Sequence, residues 1–161
     1  MAGGTGSRLG PLTVSVNKQL IPVFDKPMIY YPISILMLAG IREINLITSP
    51  KYLSSFVELL GDGNQWGMKI CYTKQTYPNG LAEGISLSED FLSGSPSALI
   101  LGDNLFHGSS LITHLRSADS LKSGATIFVY PVKDPARYGV VEFDKHGNVL
   151  GIIEKPTIPK S

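Results

Sequence analysis

Gly3-Gly4-Thr5-Gly6-Ser7-Arg8-Leu9, followed by Lys18-Gln19, holds the residues of this chain best suited to chemistry on a ligand. Closely spaced glycines let backbone N–H groups wrap around oxyanions, and Arg8 and Lys18 add fixed positive charge nearby. That combination suits a nucleoside triphosphate. Taken alone, the loop is also compatible with a tight surface turn carrying two solvated cations.

Two familiar phosphate cradles fit less well. A P-loop needs Gly-x-x-x-x-Gly-Lys-Ser/Thr, and no Gly-Lys pair follows an early glycine. The dinucleotide fingerprint Gly-x-Gly-x-x-Gly is met at Gly4 and Gly6 but finds Leu9 in the third place, although Asp25 stands about where a ribose-binding acid would follow. Pro11 and the β-branched Thr13, Val14 and Val16 leave little room for the crossover helix which that fold requires.

Asp103 follows the apolar run Ala98-Leu99-Ile100-Leu101 and Gly102, at the strand end where open α/β sheets bind ligands. One carboxylate there makes a partial Mg²⁺ site, because Mg²⁺ takes one or two carboxylates together with phosphate oxygens and water. A turn or helix-capping aspartate fits the same position. Gln75, ahead of Tyr77-Pro78-Asn79-Gly80, offers an amide able to pair with a nucleobase edge and a glycine against which a base can lie. In Glu154-Lys155-Pro156 the proline ends strand pairing just after a lysine able to reach a second anion. Both stretches also read as ordinary loops. His107, His114 and His146 are scattered and Cys71 is the only cysteine, so no zinc site is expected. Cys71, within Lys69-Ile70-Cys71-Tyr72, reads as a buried structural thiol.

The elements that must position these groups alternate along the chain. Leu20 to Phe24 reads as a short extended segment with Pro22 suited to an edge. A helix is expected over Met28 to Ala39, a strand over Glu43 to Thr48, a helix over Leu53 to Leu60 and a strand over Lys69 to Gln75. The spacing of Leu81, Ile85, Ser88 and Leu92 predicts a helix from 81 to 92, and Ala98 to Leu101 an interior parallel strand. Leu111, Leu115, Ala118 and Leu121 form another helical stripe before a strand over Ala125 to Val132. Gly139 to Asp144 and Val149 to Glu154, joined by Lys145-His146-Gly147-Asn148, read as a hairpin. The expected fold class is α/β, with a mostly parallel sheet, helices on its faces and a β-rich addition near the C-terminus.

At 161 residues, 43% hydrophobic and 17% charged, the chain has the composition of one globular domain, expected to span residues 1–161. A formal net charge of +1 gives no reason to expect a nucleic-acid partner. No apolar run reaches the roughly 20 residues of a membrane span, and no charged-then-apolar leader begins the chain. A cytoplasmic protein is expected.

Taken in order, Ala2-Gly3-Gly4-Thr5-Gly6-Ser7-Arg8-Leu9-x-Pro11-Leu12-Thr13, Asn17-Lys18-Gln19-Leu20, Asp25-Lys26-Pro27-Met28, Leu101-Gly102-Asp103-Asn104 and Glu154-Lys155-Pro156 closely resemble the sugar nucleotidyltransferases. Met28-Ile29-Tyr30-Tyr31-Pro32, Leu60-Gly61-Asp62-Gly63-x-Gln65-Trp66-Gly67 and Tyr138-Gly139-Val140-Val141-Glu142-Phe143 narrow the resemblance to the glucose-1-phosphate thymidylyltransferases.

The resemblance implies a three-layer α/β/α, Rossmann-like nucleotide-diphospho-sugar transferase fold. It also implies an Mg²⁺-dependent enzyme that joins dTTP to α-D-glucose 1-phosphate, giving dTDP-glucose and pyrophosphate on the way to dTDP-rhamnose and related sugars. By motif, Gly3, Gly4, Thr5, Gly6 and Ser7 would hold the phosphates, Arg8 the leaving pyrophosphate and Lys18 the α-phosphate region. Asp103 would bind Mg²⁺. Gln75, Pro78 and Gly80 would meet thymine, and Gln19 would lie near the nucleoside. Asn104, Tyr138, Gly139 and Glu154 would line the glucose pocket, with Lys155 on the sugar phosphate. Against the family pattern, a first strand before Ala2 and a C-terminal part carrying a second Mg²⁺-binding Asp are expected to be missing. The complete enzyme is expected to be a homotetramer. A non-catalytic dTTP-binding or regulatory fragment, or a sister specificity such as uridylyl transfer, stands as the alternative.

Overall fold

The computed structural model describes residues 1–3, 6 and 9–159, in two units, Met1–Ser120 and Leu121–Ser161. In the first, 3-10 turns at Leu12–Val14 and Lys18–Leu20 lead to a short antiparallel ladder of β1 (Pro22–Val23) with β2 (Lys26–Pro27). Pro22, which has no N–H to donate, is tolerated in so short an edge pair. Helix α1 (Tyr30–Leu38) begins two residues later than expected. Pro32 is buried within its first turn, where a missing N–H costs no intrahelical bond.

Strand β3 (Glu43–Thr48) and helix α2 (Leu53–Leu60) fall on their expected bounds, and β4 (Lys69–Lys74) ends one residue before Gln75. β3 and β4 are parallel, with Glu43 opposite Lys69 and Thr48 opposite Lys74. A parallel pair needs a crossover, and α2 lies on it. Phe56 and Leu60, four residues apart on one face of α2, are wholly enclosed in a core with Ala2, Ile29, Ile33, Ile44, Leu46, Met68 and Ile70. Burial of each such large side chain is worth about 1.5–3 kcal/mol.

Three expectations are corrected. The helix over 81–92 is two pieces, α3 (Leu81–Ser86) and α4 (Glu89–Leu92). Buried Ser88 donates its hydroxyl to the Gly84 carbonyl (2.8 Å) and accepts from Asn45 Nδ2 (2.9 Å), a local bond that competes with helix continuation. Ala98–Leu101 forms no ladder. Its pairing is with Met1, whose amine donates to the Ile100 carbonyl (2.8 Å) and whose carbonyl accepts from Gly102 N (2.7 Å), while Ala2 N donates to Ile47 O of β3 (2.7 Å). A single residue does not make a strand. In the second unit Ala125–Val132 is likewise in no ladder, and Ile127, Phe128, Val129 and Tyr130 are exposed. An apolar run records a tendency to extend, but a ladder needs a neighbour, and among the described residues none pairs with it.

Helix α5 (Leu111–Asp119) half-buries Leu111, Leu115 and Ala118, whereas Leu121 lies beyond its end and is exposed. The second unit holds the expected hairpin, β5 (Gly139–Phe143) antiparallel to β6 (Val149–Glu154), with a bulge at Glu142/Phe143. Its turn is tied by Asp144, whose carboxylate accepts from His146 N, Asn148 N and Asn148 Nδ2 at 2.8 to 2.9 Å. No described helix is long and apolar enough to cross a membrane.

Candidate functional site

The glycine loop is closed by the residues that flank it. Gly6 has φ +62°, and a Cβ there would stand 2.9 Å from Thr13 Cγ2 and 3.1 Å from Lys18 Cβ, so both backbone and space demand glycine. Its carbonyl accepts from Thr13 Oγ1 (2.8 Å) and Leu9 N (2.9 Å). Gly4, Thr5, Ser7 and Arg8, all expected ligand groups, lie outside the described residues. Asn17, 2% exposed, fastens the two stems of the loop: its Nδ2 donates to Ala2 O (3.1 Å) and its Oδ1 accepts from Gln19 N (2.9 Å). Nothing in the sequence marks Asn17 for this role by motif. The only signal was its type, since an Asn side chain before a tight turn commonly takes the N–H two residues on.

Lys18, in the turn so capped, reaches Asp103 across 85 residues of chain, Nζ to Oδ2 at 2.6 Å, with both side chains about 30% exposed. These two predicted groups are brought together. Asn104 follows in a turn closed by its N–H to Leu101 O (3.1 Å). Gln19 is buried at 4% exposure, its Oε1 lacking a hydrogen-bond partner among the described residues. It therefore lies beneath the surface rather than on it. Among the described residues no cluster of three or more acids, histidines or cysteines gathers.

Gln75, just past β4, is held by its backbone N–H to Thr48 O (2.8 Å) and is 4% exposed. It lines a cleft of about 370 Å³ together with Gly3, Thr13, Lys51, Tyr52 and Pro78. Its Nε2 donates to Gly80 O (3.1 Å) and to Glu83 Oε2 (2.6 Å), and Asn79 Nδ2 donates to Glu83 Oε1 (2.9 Å). The Gln75 amide, and then that of Asn79, hold the Glu83 carboxyl below the usual range. Gly3, Gln75 and Pro78 thus meet in one cleft, and Gly80 joins them through its carbonyl. Lys51 and Glu83 were not anticipated. Lys51 Nζ donates to Val14 O (3.2 Å) and sits 4.9 Å from the Tyr52 ring centre, placing a cation at the cleft wall. Lys18 and Asp103 are not among the residues lining this cleft.

In the second unit, Tyr138, Gly139, Glu154 and Lys155 converge at the open end of the hairpin. Gly139 pairs with Glu154, Lys155 N donates to Tyr138 O (2.9 Å), and Lys155 Nζ lies 3.0 Å from Glu154 Oε1. A Cβ at position 139 would stand 3.3 Å from Glu154 Oε2.

The sequence profile of the family described as nucleotidyl transferase matches residues 1–161. Glucose-1-phosphate thymidylyltransferases of Xanthomonas campestris pv. campestris (strain B100) and Neisseria gonorrhoeae are 56% and 53% identical over all 161 residues, which cover 55% and 56% of those proteins. The chain spans about half the length of the curated relatives it matches. A crystal structure from Bacillus anthracis, described as a glucose-1-phosphate thymidylyltransferase in complex with a sucrose, superimposes with a TM-score of 0.92 at 37% identity, covering 99% of this chain and 64% of that one. A UTP-bound UGPase from Acinetobacter baumannii, 21% identical with a TM-score of 0.75, shares the fold. The fold is that of the nucleotide-diphospho-sugar transferases.

Proposed function

Because this chain belongs to the nucleotidyl transferase family, we propose that it carries the nucleotide-handling part of an enzyme that transfers a thymidylyl group from dTTP to α-D-glucose 1-phosphate. The observation that carries this reading is the Lys18–Asp103 pair beside Gly6, a cation and a hard anionic oxygen at the stem of a glycine loop. A sugar phosphate oxygen attacks the α-phosphorus of dTTP, the bond from that phosphorus to the β-phosphate bridge breaks, and pyrophosphate leaves. Such a displacement asks the protein mainly for positioning and charge stabilisation.

In this reading the loop Gly3 to Ser7 binds phosphates, Arg8 faces the leaving pyrophosphate and Lys18 the α-phosphate. The donor set of Asp103 is hard oxygen, which fits Mg²⁺ completed by phosphate oxygens and water. Bound there, Mg²⁺ would neutralise phosphate charge. Gln75, Pro78 and Gly80 take the thymine, and Gln19 lies near the nucleoside. Asn104 is assigned to the sugar, and Tyr138, Gly139, Glu154 and Lys155 to the sugar and its phosphate. A cytoplasmic homotetramer is the proposed form of the complete enzyme.

The test is direct. Full-length protein with Mg²⁺, dTTP and glucose 1-phosphate is expected to release dTDP-glucose and pyrophosphate one for one. A faster reaction with ATP or CTP than with dTTP overturns the thymidylyl assignment.

A further inference from the structure

The cleft beside Gly3 contains an amide whose direction is fixed by a residue outside the nucleotide contacts assigned above. A side-chain amide can in principle turn either its oxygen or its nitrogen toward a ligand, and the two faces select opposite base edges. Gln75 has no such freedom. Two acceptors sit on one side of it, the Gly80 carbonyl at 3.1 Å and the Glu83 carboxylate at 2.6 Å, and both require the nitrogen. The two hydrogens of Nε2 are thereby engaged. The oxygen lies at the other side, where a Cβ on Gly3 would come within 3.2 Å of it, and both Gly3 and Gln75 line the cleft.

Glu83 is itself aimed by a second amide, Asn79 Nδ2 at 2.9 Å from Oε1. The carboxylate is thus shared by two donors from one turn. A carboxylate accepts and does not donate, so its accepting oxygen specifies which way Gln75 faces.

We propose that Glu83 is a positioning residue for base selection: by holding Gln75 Nε2 it presents Gln75 Oε1 to the cleft as a hydrogen-bond acceptor, which favours a pyrimidine carrying an N3–H, such as thymine, over cytosine, whose N3 is an acceptor. This rests on the reading that the cleft takes the base of dTTP. Cytosine would place one lone pair against another, and an unmet buried acceptor is costly on both sides. Without Glu83 only the Gly80 carbonyl, at 3.1 Å, still holds the nitrogen, and the amide turns more readily to offer Nε2 to cytosine N3.

The experiment measures dissociation constants of dTTP and dCTP for the full chain and for Glu83→Leu and Glu83→Gln, each checked by its thermal melt. Wild type is expected to prefer dTTP. Glu83→Leu is expected to weaken dTTP and strengthen dCTP, cutting the preference by about tenfold. Glu83→Gln, whose amide oxygen still accepts from Nε2, should restore most of it. A merely structural Glu83 would weaken both ligands alike, and that result, or an unchanged preference in Glu83→Leu, overturns the proposal while leaving the thymidylyl reading intact. If Glu83→Leu does not fold, Glu83→Lys and the Gln variant serve as the comparison, and an unchanged preference in Glu83→Lys is equally decisive. A wild type that prefers dCTP overturns both readings.

Discussion

Lys18 Nζ stands 2.6 Å from Asp103 Oδ2, joining the stem of the glycine loop to the turn after Leu101. On the proposed reading Asp103 is also the carboxylate that would hold a divalent cation, so cation and lysine would compete for it. With both side chains nearly one-third exposed, the pair contributes under about 1 kcal/mol to stability. Lys18→Met is therefore expected to melt close to wild type and, without nucleotide, to bind Mn²⁺ about twofold to fivefold more tightly, read by paramagnetic relaxation of water. Weaker Mn²⁺ binding in Lys18→Met would show that the lysine assists the site rather than guarding it.

Asn17 couples the loop to the core. Removing its amide strands Gln19 N and leaves Ala2 O only the 3.3 Å bond from Thr48 Oγ1, in a buried setting where an unsatisfied group costs about 1–3 kcal/mol. Asn17→Ala should lose roughly 1–3 kcal/mol in urea unfolding, with dTTP affinity falling as well. A loss below about 0.5 kcal/mol would mean the stems are held by something else.

Acid should loosen the cleft and the hairpin turn together. Glu83, held down first by Gln75, and Asp144, held down first by Asn148, both have folded pKa values below their unfolded ones. Their contributions are present in full above the ordinary carboxylate range and vanish as pH falls through the depressed values. The melting midpoint is expected to hold from pH 7 to about 5 and drop below about 4, less steeply in Glu83→Gln and Asp144→Asn. A midpoint that rises in acid, or variants that track wild type, would contradict this.

What could be read in the sequence follows the range over which each feature is decided. β3 and α2 are set by local periodicity and matched to the residue. The break at Ser88 depends on Asn45, far away in the chain, and the missing ladders at 98–101 and 125–132 depend on neighbours that no local pattern names. The site divides in the same way. Lys18, Asp103 and Gln75 were legible by residue type, but that the first two pair with each other, and that the third is oriented by Glu83, emerges only when the chain is folded. Asn17 and Lys51 carried no chemical signature beyond ordinary loop residues, because their roles lie in which carbonyl they reach.

Selective binding of dTTP by this chain is read by thermal unfolding with Mg²⁺ and dTTP, dCTP or ATP. A ligand at a hundredfold over its dissociation constant stabilises the native state by about 2.7 kcal/mol, which for a chain of this size raises the midpoint by roughly 5–10 °C. The largest shift is expected with dTTP. Equal shifts from all three nucleotides, or a larger one from dCTP or ATP, would contradict it.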